Sequence, residues 1–175
     1  GGARVTVGWP TASQFRGRTI PLMLLTDYDA MPLNVDGEGD AHGLAAKRTQ
    51  TLGTAGMTVA ESSPARPITD ESWSPSTPHE APPAAGIAAL FNEGTRGRLY
   101  WPCPDCGEWF RPEFDRLHYD ATLPPGAAGE QAVMVCPHCG GFSEGRHKAE
   151  LNRKGEWRHE TRDGRLTDLR GDVRP

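Results

Sequence analysis

Two copies of one short pattern, Cys103-Pro104-Asp105-Cys106-Gly107 and Cys136-Pro137-His138-Cys139-Gly140, constrain the fold of this chain more than any other feature. A C-x-x-C pair closes a tight, strained ring as a disulfide, but its spacing aims two thiolates at one tetrahedral metal ion. The glycine after each pair permits the backbone turn that brings amides close to the sulfurs. Two matched turns therefore predict a four-cysteine structural zinc site with Cys103, Cys106, Cys136 and Cys139 as ligands. Free thiols or a redox pair would not require the match. A catalytic zinc, as in a zinc hydrolase, would need three protein ligands and a position open for water, whereas four thiolates close the shell, so the structural reading is the plainer one.

The interval between the knuckles is longer than in a compact finger and suits an antiparallel ribbon with a long loop. Leu99, Tyr100 and Trp101 before the first knuckle, Trp109 and Phe110 after it, and Val133 and Val135 before the second are the expected ribbon strands. Trp101, Trp109, Phe110 and Tyr119 could stack on bases, but a zinc ribbon has little else to bury, and core packing is the plainer role. His118, His138 and His147 are expected to be exposed rather than ligands. Cysteines used this way point to a reducing compartment.

Composition bounds the remainder. Only 36% of the 175 residues are hydrophobic, and 21 glycines with 16 prolines force much of the chain into turns. The net charge of −4 is spread without a basic block, so any nucleic-acid contact must be local. With no membrane-length apolar run and no leader pattern, the chain reads as soluble and not secreted.

Upstream of the knuckles, Arg4–Trp9 alternates like a strand. Leu22-Met23-Leu24-Leu25 is continuously apolar, as in a central strand covered on both faces. Ser13–Arg18, between them, reads as a loop or short helix. A short helix is expected at Leu44–Thr49, a strand at Met57–Ala60, and a further helix at Ile87–Asn92. Strand, helix, strand is the order of an α/β unit with a parallel sheet. From Ala65 to Gly86 the chain is rich in Pro, Ser, Thr and Glu and reads as a linker or mobile loop.

The strand Leu22–Leu25 runs into Thr26-Asp27. An apolar strand ending in acids at the carboxyl edge of a parallel sheet is the form of a Walker B strand, where one acid holds magnesium and the next polarises the attacking water. An ordinary core strand leading into a turn fits the same residues. Arg16 and Arg18, before the strand, could contact phosphate or remain solvated.

Taken in order, these segments resemble the large-subunit terminases of tailed phages, specifically the lambda-type packaging ATPases. The resemblance is carried by Trp9–Arg18 before the strand, by Asp29-Ala30-Met31-Pro32 after it, and by Lys47-Arg48-Thr49 on the helix. Ser62-Ser63-Pro64 stands where that family has a Ser-Thr-Pro coupling motif, and Gly94–Tyr100 runs into the first C-P-x-C-G-E knuckle. The resemblance implies an α/β fold: a partial P-loop ATPase parallel sheet followed by a small β zinc ribbon. Residues 1–64 would be the C-terminal part of the ATPase domain, 65–93 a Pro-rich linker and short helix, and 94–175 the zinc ribbon and C-terminal tail.

It further implies an ATP-driven motor that packages double-stranded viral DNA in the host cytoplasm, from a phage or prophage. Terminase small subunit and procapsid portal protein would be its partners, and it would work as an oligomer, with ATP and magnesium as cofactors and an endonuclease in the full-length parent. Asp27 and Thr26 would be the catalytic positions, and Asp27, Ser62 and Ser63 the nucleotide-facing ones. Two departures bear on this. No G-x-x-x-x-G-K-[ST] loop occurs, so the chain is expected to be a fragment, inactive alone. If the four apolar residues set the register, Thr26 occupies the magnesium-binding position and Asp27 that of the catalytic Glu. In a shifted register Asp27 holds magnesium and Tyr28 replaces the glutamate. The alternative function is a non-enzymatic zinc-ribbon module that binds nucleic acid or protein.

Overall fold

A computed structural model describes residues 4–168 and 171–174. The extreme ends of the first and last expected domains, residues 1–3 and 175, lie outside the described residues, as do 169–170. The chain divides into two compact units, one made of Gly1–Ser74 with Ala81–Glu93 and the other of Pro75–Glu80 with Gly94–Pro175.

In the first unit a short helix α1 (Ala12–Phe15) precedes strand β1 (Leu22–Leu25), helix α2 (Ala41–Thr49) and strand β2 (Met57–Ala60). β1 and β2 pair in parallel, Leu22 opposite Met57 through Leu25 opposite Ala60, so the expected strand, helix, strand unit is present. Asp40 starts α2 by accepting the Gly43 N–H at 2.9 Å, and Lys47 and Arg48 in the last turn suit the negative end of the helix dipole. Phe15, Leu25, Tyr28, Val35, Ala41, Leu44 and Ala45 form the core, with Met23 packed against it.

Two expectations for this unit change. Leu22 and Leu24 are 59% and 60% exposed, because the two-stranded sheet carries α2 on one face only, whereas a strand covered on both faces was expected. The segment Arg4–Trp9 forms no strand: it has no neighbouring strand to pair with, and Val5, Val7 and Trp9 are exposed. Alternation alone does not make a strand when no ladder is available. The parallel sheet among the described residues has two strands, and the architecture is mixed α/β with small sheets.

The Pro-rich segment is tied down by hydrogen bonds. The buried Asp29 carboxylate accepts the Ala65 N–H at 2.8 Å and the Ile87 N–H at 2.6 Å, bracketing it. Arg66 donates to the Met31 carbonyl, and Ile68 bridges Ala84. Asn92, on helix α3 (Ile87–Glu93), bonds both backbone groups of Ala81. Gly86 needs to be glycine: its φ is +76°, and a Cβ there would lie 2.0 Å from an Asp29 oxygen.

The second unit contains β3 (Arg98–Pro102), β4 (Trp109–Phe110), β5 (Leu117–His118), α4 (Pro125–Gln131), β6 (Val133–Val135), β7 (Phe142–Glu144), α5 (Lys148–Lys154), β8 (Glu156–Glu160) and β9 (Leu166–Thr167). One antiparallel sheet has the order β4-β3-β8-β9 and a second the order β5-β6-β7. The expected ribbon strands flank the knuckles as β3, β4 and β6. Trp101 and Phe110 meet edge to face at 6.4 Å, and Trp101 Nε1 donates to Asn152 on α5. With Cys103, Cys136 and Leu151 they make the core.

Candidate metal centre and strand-end site

Each knuckle is a turn closed by its own backbone. Cys103 N–H donates to Glu108 O, and Gly107 N–H donates back to Cys103 O. Cys136 N–H donates to Gly141 O, and Gly140 N–H donates to Cys136 O. Gly107 and Gly140 have φ of +76° and +75°, the left-handed region in which a side chain is strained. Cys103 and Cys136 are buried beneath the sheets, while Cys106 and Cys139 stand at the surface.

The four sulfurs lie within 4.8 Å of one another. Cys103 Sγ is 3.7 Å from Cys139 Sγ, and Cys106 Sγ is 3.9 Å from Cys136 Sγ. A tetrahedral site with metal–sulfur bonds of about 2.3 Å has edges of about 3.8 Å, so the cluster has the dimensions of a four-thiolate metal site. The His138 N–H points to Cys136 Sγ and the Gly141 N–H to Cys139 Sγ, both at 3.4 Å, as outer donors that stabilise thiolate charge. His138 turns its ring to the Trp109 carbonyl and is not a ligand, and His118 is exposed.

The thiols compete for charge. Burial raises Cys103, but the N–H groups of Cys106 and Asp105 and the neighbouring thiols outweigh it and bring it down to about 7. At Cys106 the Glu108 N–H lowers the thiol, while desolvation and the Cys139, Cys103 and Cys136 thiols override it and push it up to about 12. Four thiolates so close together cannot all ionise unless a cation offsets them, which is the role a divalent ion would fill.

In the other unit, the carboxyl ends of β1 and β2 lie side by side. The parallel ladder continues past both strands: Glu61 N–H donates to Leu25 O and Tyr28 N–H to Glu61 O, each at 3.0 Å. Asp27 N–H donates to the Glu61 carboxylate at 3.2 Å, and Asp29 N–H donates to Ser62 Oγ at 3.1 Å. Ser62 Oγ in turn donates to Ser63 O. The structure thus brings Thr26 and Asp27 to the same sheet edge as Ser62 and Ser63. Thr26 and Asp27 are exposed, and Asp27 adopts a left-handed conformation (φ 52°, ψ 47°) that is uncommon outside glycine.

Three residues went unread in the sequence, two of them at the strand end. Glu61 immediately follows β2, and a parallel pairing places it beside Asp27. Asp29, counted only as part of a turn, is a buried capping carboxylate. Burial raises its pKa, but the Ala65, Ile87 and Arg66 N–H groups and the Arg66 guanidinium hold it below the usual range. His79, inside the Pro-rich segment, is buried in the second unit between the Arg96 carbonyl (2.7 Å) and the Tyr100 hydroxyl (3.0 Å). No local pattern announces it. Arg16 pairs with Glu38, Arg18 is exposed, and Trp101 and Phe110 are core residues.

A family model described as "Phage terminase large subunit gpA, ATPase domain" matches residues 1–157. No curated protein and no solved structure matches the chain.

Proposed function

Because this chain belongs to the phage terminase large subunit gpA ATPase-domain family, we propose that it forms part of an ATP-driven motor that moves double-stranded viral DNA into a procapsid. The observation that supports this most is the strand-end cluster at the carboxyl ends of two adjacent parallel strands, where Asp27 meets Glu61 and Asp29 meets Ser62, the edge at which α/β folds collect ligands. The chain's 175 residues contain no G-x-x-x-x-G-K-[ST] loop, so Asp27 and its neighbours would supply only one edge of a nucleotide site.

Thr26 and Asp27 offer one hydroxyl and one carboxylate, hard oxygen donors suited to the edge of a magnesium–nucleotide site. Magnesium, when bound, would supply charge neutralisation of the phosphates. Asp27, exposed at the strand end, would accept a proton from the attacking water or orient it. Ser62 bonds the backbone of Asp29 two residues beyond Asp27, so a shift in the strand-end loop would reach Ser62 and Ser63, the step that couples nucleotide state to motion. The four cysteines would hold zinc as a structural ion, with no part in hydrolysis. DNA cutting would belong to an endonuclease in the same parent protein. The small subunit and the portal are the expected partners, in an oligomer in the host cytoplasm.

ATP turnover by an assembled motor containing this chain tests the reading. Asp27→Asn should lower hydrolysis by about two to four orders of magnitude with little change in nucleotide affinity. Thr26→Asp should raise it if Thr26 occupies the magnesium position. Unchanged turnover in Asp27→Asn would leave β1 with a packing role only.

A further inference from the structure

The N–H groups of Asp27, Tyr28 and Asp29, the turn that leaves β1, all donate to the end of β2. Asp27 N–H goes to Glu61 Oε1 at 3.2 Å, Tyr28 N–H to Glu61 O at 3.0 Å and Asp29 N–H to Ser62 Oγ at 3.1 Å. Glu61 receives two of the three, one on its side chain and one on its backbone. Its own N–H reaches back to Leu25 O at 3.0 Å.

The turn held in this way is an uncommon one. Asp27 has φ 52° and ψ 47°, and its carbonyl accepts the Ala30 N–H at 2.8 Å to open the turn Tyr28–Ala30. Aspartate visits the left-handed region more readily than most residues, but such a conformation persists only where its surroundings fix it. The two backbone bonds of Glu61 would form with almost any side chain at that position. The bond to the Asp27 N–H needs a side chain that carries an acceptor and is long enough to reach. Glu61 is exposed, so no core packing accounts for its identity.

We propose that Glu61 is a positioning residue for Asp27: its carboxylate fixes the backbone of residue 27 in the left-handed conformation, and with it the direction from which the Asp27 carboxylate meets the attacking water. This rests on the motor reading above, in which Asp27 orients that water. Misplacing an orienting group by a small distance slows the chemical step while leaving nucleotide affinity nearly unchanged.

The test is ATP turnover by an assembled motor containing this chain, measured across ATP concentrations for single and double variants. Glu61→Ala should lower kcat roughly ten- to a hundredfold with KM changed less than about twofold. Glu61→Gln keeps an oxygen acceptor at the same reach and should retain kcat within about threefold. In an Asp27→Asn background, Glu61→Ala should cause little further loss, because the two residues act as one unit. Should Glu61→Ala fail to fold, Glu61→Met, which keeps the length without the acceptor, carries the same expectation. A normal kcat in Glu61→Ala beside an impaired Asp27→Asn overturns the proposal and leaves the motor reading intact. Loss in Glu61→Gln equal to that in Glu61→Ala, or losses that multiply in the double variant, also overturn it. Normal turnover in both Asp27→Asn and Glu61→Ala removes this role together with the one assigned to Asp27.

Discussion

Asp29 and Asp27 lie two positions apart and do opposite things. Asp29 is buried, accepts backbone N–H groups from Ala65 and Ile87, and ties the end of β1 to helix α3 within one unit. Asp27 is exposed, with its carboxylate directed to solvent rather than to the core. Replacing Asp29 with Asn keeps the shape but removes the charge, and should cost about 1–3 kcal/mol at pH 7, read as a lower urea midpoint. The folded-state pKa of Asp29 is depressed, so its contribution is fully present above the unfolded value, near 4, and is lost as pH falls through the folded value. The gap between wild type and Asp29→Asn should therefore narrow below about pH 4. A gap that widens on acidification would show that the carboxylate is not the stabilising form.

At the scale of elements, what the sequence discloses depends on how local the cause is. The knuckles were legible because C-P-x-C-G encodes its own turn and its own ligands. The β1, α2, β2 unit was legible from its apolar pattern and from the polar positions at the start of α2. β8 was not: Glu156-Trp157-Arg158-His159-Glu160 carries no apolar alternation, and it pairs with β3 through Glu156–Arg158 while its end is fixed by a buried ion pair to Arg96, ahead of β3. Glu160 is fully buried against Arg96 at 3.1 Å and accepts the His79 N–H at 2.7 Å, partners distant in sequence. The opposite error occurred at Arg4–Trp9, where alternation suggested a strand that has nothing to pair with.

The ribbon strands end at their cysteines, so the sheets and the metal should be energetically one system. Purified under reducing conditions, the chain should contain one zinc ion, measurable by atomic emission. A chelator should abolish the near-ultraviolet signal of Trp101 in its packed environment. Metal-free protein with that signal intact would mean that the core of Trp101, Phe110 and Leu151 stands without an ion.

For the whole molecule, the order of segments carried the family reading, and the family match over residues 1–157 bears it out. Order along the chain survives even where single motifs are degenerate. The residue-level roles were less legible because Thr26-Asp27 fits two registers, and only the neighbouring strand shows which groups share the sheet edge. The 175-residue chain by itself should not turn over ATP, since no backbone cradle or lysine among its residues holds the β- and γ-phosphates. Magnesium-dependent hydrolysis by the pure chain, above a variant control, would contradict this. The most direct measurement is the rate at which an assembled motor carrying Asp27→Asn packages DNA into procapsids. Packaging should fall by about two orders of magnitude or more while nucleotide still binds. Packaging at the normal rate would contradict the assignment of this strand end to the motor's chemistry.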